Sequence, residues 1–418
     1  MAVATVCSIL SGRRSARGSS QRVLRDASGV HSVEDRARSA ARDGVQRSGL
    51  VTSAFASEQS TPAELDQLVY VHGGEPGLRR ERRDGEWVVL DPLGEPVAET
   101  ETLTRVRALR IPPAWTQVWI AVSPSAHLQA TGLDSKGRRQ YLYHRLWRER
   151  RDHEKYDDML EFAGRLPRIR ATTRSLLGAR DGERNWTLAL AIRLLDIGLF
   201  RVGWDRYARD NGHVGLTTLR RENVTLRGPG VHFDFVAKSG KRRRMTVRDR
   251  QSVAALAELK HRRGAPDELL VFRSEHGWQR IHAPDVNNAL RTWGEGPYSA
   301  KEFRTWSATV LAAVALAREH KSGKRGTRAV SRAVRKVSSA LGNTPAVARG
   351  SYIDPRLITL FQSDRVIELP ETARPVASTL EIELAGDDAV VELPTDIDGD
   401  AVRLEVEQRV RALLMTAG

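Results

Sequence analysis

The apolar positions of this chain keep one period up to about residue 145 and another beyond it. From Thr61 to Tyr143 they come in short runs bounded by turn residues. Glu86–Leu90 and Ala98–Val106 read as strands, set off by Asp84-Gly85 and Pro92-Leu93-Gly94. Gln117–Val122 reads as a further strand, and Ala130–Tyr143 as a hairpin turning at Asp134-Ser135-Lys136-Gly137. The pattern predicts a small β-rich domain over 61–145.

Past that point the spacing is helical. Trp147–Glu161 and Leu166–Gly178 read as helices, the first highly charged. Asn185–Phe200 is apolar almost all round and reads as a buried helix. Val224–Leu226, Val231–Val236 and Arg244–Val247 form a small antiparallel set, the last two joined by a tight turn at Ser239-Gly240. Helices are expected again at Arg248–Arg262, Pro284–Trp293, Phe303–His320 and Thr327–Leu341; in the third, Phe303, Trp306, Val310 and Val314 share one face. The fold class is α+β: a small β-rich domain, then a larger, mainly helical domain over 146–365 with a small antiparallel sheet. Residues 366–418 hold strand-like pieces (Leu380–Leu384, Val390–Leu393) and one helical stretch, Ala401–Leu414. Their pattern leaves open whether they fold onto the rest.

Charge narrows the class of partner. The 418 residues carry a formal +15. Residues 1–60 hold nine Arg against five acidic residues, and 366–418 hold four Arg against twelve, so removing these +4 and −8 contributions leaves +19 on 61–365. The basic character belongs to the folded part and points to a polyanion, nucleic acid first. The acidic tail could compete with that polyanion for the basic surface. The lone Cys7 forbids an intrachain disulfide and fits a reducing compartment. No run of 18 apolar residues is present, so no membrane span is expected. Met1–Leu10 lacks the basic start and cleavage site of a secretory signal, and residues 1–60 are expected to be a disordered basic extension; an organelle transit peptide is the weaker alternative. A cytoplasmic, nucleoid-associated monomer is the expectation.

Several familiar chemistries are missing. There is no G-x-x-x-x-G-K-[ST] loop, no G-x-G-x-x-G after a strand and no H-x-x-x-H pair, so neither a nucleotide cofactor nor a metal is expected. What remains is a set of polar residues at the ends of elements. Arg201 follows the buried helix, Lys238 stands at a hairpin tip, and Arg304 opens a helix in Lys301-Glu302-Phe303-Arg304-Thr305. Gly342-Asn343-Thr344-Pro345 starts a short helix with Thr344 as N-cap and Pro345 at its first position, and Tyr352 lies just before a break at Pro355. Taken singly, each has a structural explanation: a dipole partner, a solvated turn, a packing residue. Their joint occurrence in order is the signal.

That order resembles the type IB DNA topoisomerases of poxviruses and bacteria, from roughly Arg110 to Arg365. The words that carry it are Gly132-Leu133-Asp134-Ser135-Lys136-Gly137-Arg138-Arg139-Gln140-Tyr141-Leu142-Tyr143, then Arg201-Val202-Gly203 with Tyr207 and Val214-Gly215-Leu216-Thr217-Thr218-Leu219. Phe235-Val236-Ala237-Lys238, Lys301–Thr305, and Gly342–Pro345 nine residues ahead of Tyr352 complete it. The resemblance implies that Tyr352 attacks a DNA phosphorus, that Arg201 and Arg304 clamp the phosphate oxygens, that Lys238 protonates the leaving oxygen and that Asn343 donates a hydrogen bond. It implies double-stranded DNA as partner, contacted by Arg139, Gln140, Tyr141, Tyr143 and Tyr207, and relaxation of both signs of supercoil without cofactor. Poxvirus and eukaryotic members carry histidine where Asn343 stands, which puts any proton-shuttle role at this position in doubt.

Two rivals share part of the pattern. A tyrosine recombinase usually has a histidine three residues before its second arginine, where this chain has Lys301, and a helical domain in front, where this chain has a β-rich one. A non-enzymatic basic DNA-binding protein accounts for the charge, but not for Tyr352 with four polar partners in order.

Overall fold

The computed structural model describes residues 68–180 and 182–370, with 380–383, 390–393 and 397–417 beyond them; the expected basic arm over 1–60 lies outside the described residues. The first sheet is antiparallel, in the order β2-β1-β3-β4-β5, built from β1 (Leu78–Arg83), β2 (Glu86–Leu90), β3 (Thr116–Ile120), β4 (Leu128–Leu133) and β5 (Arg139–Tyr143). Leu78, Val118, Ile120 and Ala130 form its core with Val106 and Ile111.

Val106 lies on a helix, α1 (Thr100–Ala108), where the β-branched run Ala98–Val106 reads as a strand. Leu103 and Leu109 are half-buried and Val106 is buried. They recur every three residues, so a helix puts them on one face and a strand could not. Glu101 in the first turn and Arg105 and Arg107 in the last suit the helix dipole.

The charged segment after β5 is one helix, α2 (Arg145–Ala179), and not two. Its 35 residues span roughly 50 Å at 1.5 Å each. Pro167 removes one main-chain donor from it, but Tyr156, Met159, Leu160, Ala163, Leu166, Ile169, Thr173 and Leu177 keep an unbroken buried stripe across the proline. Next come α3 (Glu183–Gly198), buried from Trp186 to its end, and the short α4 (Asp205–Asn211). Then follow β6 (Val224–Arg227), β7 (Gly230–Val236), β8 (Arg242–Val247), α5 (Arg250–His261), the hairpin β9 (Val271–Ser274) with β10 (Gly277–Arg280), and α6 (Ala283–Gly294). The series ends with α7 (Ala300–Lys321), α8 (Gly326–Leu341), α9 (Pro345–Ser351) and α10 (Pro355–Gln362). In α7 the residues Phe303–Thr309 are all buried, while Val310 and Val314 are only half so. The helix runs through the core with more than one face covered, unlike the single stripe its pattern predicts.

The acidic tail folds onto this domain. β11 (Leu380–Glu383) pairs with β8, and β12 (Val390–Leu393) pairs with β11, giving a second antiparallel sheet in the order β12-β11-β8-β7-β6. In α11 (Ile397–Met415), Val406, Val410 and Leu414 are buried in the main core. Arg170 of α2 donates to Asp196 of α3 (2.9 Å) and to Glu407 of α11 (2.7 Å), and Arg403 donates to both carboxylates at 2.8 and 2.9 Å. One acidic residue of the tail, Glu407, is thus paired with an arginine of the preceding fold as well as with Arg403 of its own helix.

Candidate active site

Arg201 stands where the chain leaves α3. Leu199 adopts the left-handed conformation (φ 53°), unusual for a residue with a Cβ, which ends the helix and aims its carbonyl at Arg304. The main chain of 201–203 is then tied to the segment before residue 218: Leu216 N–H donates to Arg201 O and Thr217 N–H to Val202 O, both at 2.8 Å. This close contact requires glycine, because a Cβ on Gly215 would stand 2.5 Å from the Cα of Gly203. The spacing Arg201-Val202-Gly203 … Val214-Gly215-Leu216-Thr217 has its structural meaning here.

Arg304 lies in the first turns of α7, which Ser299 caps: Glu302 accepts from the Ser299 N–H at 2.9 Å and from its hydroxyl at 2.7 Å. Only 4% exposed, Arg304 donates to the carbonyls of Leu199 and Leu341, the latter at 3.0 Å. Gly342 (φ 65°) ends α8, and Asn343 N–H donates back to Ser338 O at 2.9 Å, which turns the chain and presents the Asn343 side chain. Thr344 caps α9 through Val347 N–H, with Pro345 first in the helix as expected.

Tyr352 occupies the gap between α9 and α10. Its N–H donates to Ala348 O (3.1 Å), and its carbonyl accepts from the Thr309 hydroxyl of α7 (3.2 Å). That hydroxyl in turn accepts from Asp354 N–H (3.2 Å), and Tyr156 of α2 donates to Ile353 O at 2.8 Å. The half-buried ring lies beside Arg304, 5.3 Å from guanidinium carbon to ring centroid. Arg201 donates to the Asn343 carbonyl oxygen. The Asn343 amide nitrogen, buried, meets no acceptor at full hydrogen-bond geometry, yet lies near enough to the phenol to favour its anion.

Arg201, Arg304, Asn343 and Tyr352 are thereby brought together from four separate elements. A third guanidinium joins them that the sequence reading passed over. Arg243 of β8, 8% exposed, donates to Ala340 O at 2.5 Å. The strand expected over Arg244–Val247 leaves Arg243 outside it; the missed signal is the alternation, since Arg243, Met245 and Val247 all point inward. Thr309, which braces Tyr352, offers no signal beyond its place in a buried helix.

The electrostatics are one-sided. Among the described residues no carboxylate pairs with Arg201, Arg243 or Arg304. Burial, and then the charge of Arg304, lower Arg201 to about 9. Burial, and then Arg304 and Arg201, lower Arg243 likewise to about 9. For Tyr352, burial would raise the phenol, but the charges of Arg304 and Arg201 and the donors on Arg304 and Asn343 outweigh it and bring the group down to about 8. Co-buried cations without counter-charge are unfavourable, and a ligand anion would relieve them.

The remaining candidates stand on other elements. Lys238 is exposed in a short turn between β7 and β8, whose tip is shaped by left-handed Ser239 and Gly240. On β5, Arg139, Tyr141 and Tyr143 share one face, the two rings stacked 6.1 Å apart. Gln140 points the other way, is buried, and donates to Asp134 at 2.9 Å, which fixes the hairpin turn. Burial pushes Tyr143 up to about 12. Tyr207 on α4 is 42% exposed, with the exposed Trp204 just before that helix. Among the described residues, no group of three His, Cys, Asp or Glu side chains is placed to hold a metal ion, and no helix is long and apolar enough to cross a membrane.

Residues 144–356, just over half of the chain, match the family model of eukaryotic DNA topoisomerase I, catalytic core, which sets the class. Residues 86–134 match the bacterial DNA topoisomerase IB, N-terminal domain, and the chain belongs to the type IB DNA topoisomerases. It is 27% identical over 303 residues to DNA topoisomerase 1B of Acanthamoeba polyphaga mimivirus, covering 69% of this chain and 88% of the viral one. It is 31% identical over 160 residues to DNA topoisomerase 1 of Candidozyma auris (38% of this chain, 20% of the yeast one). DNA topoisomerase 1B of Vaccinia virus (strain Copenhagen) is 19% identical over 242 residues, 57% of this chain and 74% of the viral one.

Proposed function

We propose that this protein relaxes supercoiled double-stranded DNA of either sign by cutting and resealing one strand, with Tyr352 as nucleophile. The phenol oxygen bonds to a backbone phosphorus, the bond from phosphorus to the 5′-oxygen breaks, and a 3′-phosphotyrosyl link and a free 5′-hydroxyl result. The phenolic proton leaves to solvent and the departing oxygen takes one from Lys238. The duplex swivels, and the 5′-hydroxyl then attacks the phosphotyrosine to restore the strand. The phosphodiester energy is kept in the covalent link, so the cycle needs no ATP. Arg201, Arg304 and the free Asn343 amide receive the phosphate oxygens as charge builds on them, a task for which guanidinium forks are suited and for which no metal ion is required. The observation that carries this reading is the buried Arg304 and the half-buried Arg201, neither paired with a carboxylate among the described residues, gathered with Asn343 beside the Tyr352 ring.

In the same reading residues 61–145 close around the duplex opposite the catalytic domain 146–365. Arg139, Tyr141, Tyr143 and Tyr207 meet DNA, and the buried Gln140 contributes only by holding the β4–β5 turn that presents them. The protein works as a cytoplasmic, nucleoid-associated monomer. Lys238 must reach the scissile phosphate from its hairpin tip once DNA is bound. The test is relaxation of supercoiled plasmid with EDTA and without ATP. The full chain should relax it and Tyr352→Phe should not. Relaxation by Tyr352→Phe, or a strict need for ATP, would refute the proposal.

A further inference from the structure

Arg243 has no part in the chemistry above, yet it borders the site. Its strand neighbours Arg242 and Arg244 face outward onto Asp234, while Arg243 turns inward. It lines the same small cavity as Arg201, together with Leu199, Phe200 and Phe235. Besides its bond to Ala340 O, its Nη1 lies only 3.3 Å from where a Cβ on Gly342 would stand, so the guanidinium fills the space beneath the α8–Asn343 turn. A residue wanted only for packing there would be better apolar, since a buried cation without a counter-ion is unfavourable.

We infer that Arg243 is a positioning residue for strand cleavage, holding the Ala340–Gly342 end of α8 so that Asn343 stays on Arg201 and beside the Tyr352 hydroxyl. The inference rests on the proposed roles of Tyr352 and Asn343. Lysine at 243 keeps the charge but not the planar fork, and one ammonium cannot both bond the Ala340 carbonyl and fill the space under Gly342.

The experiment is single-turnover cleavage by the full chain of a nicked duplex whose cut releases a short 5′-hydroxyl fragment, read as covalent adduct on a denaturing gel. Wild type, R243K, N343A and the double variant form a cycle, with DNA affinity and melting temperature measured alongside. A displaced donor slows cleavage, so R243K should fall about 10- to 100-fold with DNA affinity unchanged within about twofold. If Arg243 acts through Asn343, the double variant should be no more than about twofold slower than N343A alone. Wild-type cleavage by R243K, or losses that multiply in the double variant, would overturn the inference. Should R243K melt markedly lower, R243Q, which keeps a donor for the Ala340 carbonyl, enters the same cycle with the same criteria. Wild type and Y352F separate the two levels. No adduct from wild type removes the underlying reading and this inference with it. An adduct absent only in Y352F, with multiplying losses in the cycle, removes the role of Arg243 alone.

Discussion

Tyr352 is a phenol under opposed influences, with burial disfavouring its anion and two guanidiniums favouring it, and the second effect prevails. It should therefore ionise below the ordinary phenol range. A spectrophotometric titration should show one tyrosinate forming near pH 8, missing in Tyr352→Phe. Tyr143 and Tyr156 are pushed upward by burial and cannot supply that step. Single-turnover cleavage should rise as pH climbs towards about 8 and level off above it, where the phenolate is already formed. A flat profile with no tyrosinate below pH ~9.5 would contradict the balance described. At this scale the sequence was most readable where a side chain ends an element. Arg201, Arg304, Asn343 and Tyr352 stand at such edges, and they converge. Arg243 was not readable, because three consecutive arginines look alike until a strand sends the middle one inward. Gln140 shows the converse: a word of the family signature whose side chain is spent on the turn at Asp134.

Elements were legible in proportion to how plainly their burial showed in the pattern. The buried α3 and the β4–β5 hairpin came out nearly as spaced. α1 did not, since Thr and Val favour strands locally while Leu103, Val106 and Leu109 are paired with the core at a helical interval. Trp147–Glu161 and Leu166–Gly178 read as separate helices, but a buried stripe that continues through Phe162, Ala163 and Leu166 and on past Pro167 holds them as one. α11 was seen as a helix, yet nothing local said that it would dock. Its docking rests on partners more than 200 residues away, chiefly Arg170 and Asp196 against Arg403 and Glu407. Burial alone would raise Glu407 and Asp196, but the facing arginines hold both below the ordinary carboxylate range. With folded values depressed, their contribution is complete above that range and is lost as pH falls through the lowered values. Glu407→Gln leaves Arg170 and Arg403 under-compensated and should cost about 3 kcal/mol in denaturant unfolding at neutral pH. It should also narrow the gap to wild type as the solution is acidified. A cost under about 0.5 kcal/mol would mean that the cluster is not a strut.

For the whole molecule the decisive quantity is charge. Residues 61–365 carry a net +19, whereas the tail's acidic excess is at least partly spent on internal arginines. DNA affinity should fall steeply with salt, by about 10³-fold or more between 50 and 200 mM if six or more phosphates are met. A slope near zero in a salt titration would rule out a backbone-gripping surface.

Another consequence comes from the main chain of Tyr352, tied to Ala348 on one side and, through Thr309, to α7 on the other, with α2 fastened to the next residue by Tyr156. A strand joined to that hydroxyl would hang from a fixed post and not from a yielding loop. Torque stored in the DNA would then be released by rotation at the free end, while the post stays in place to receive it again.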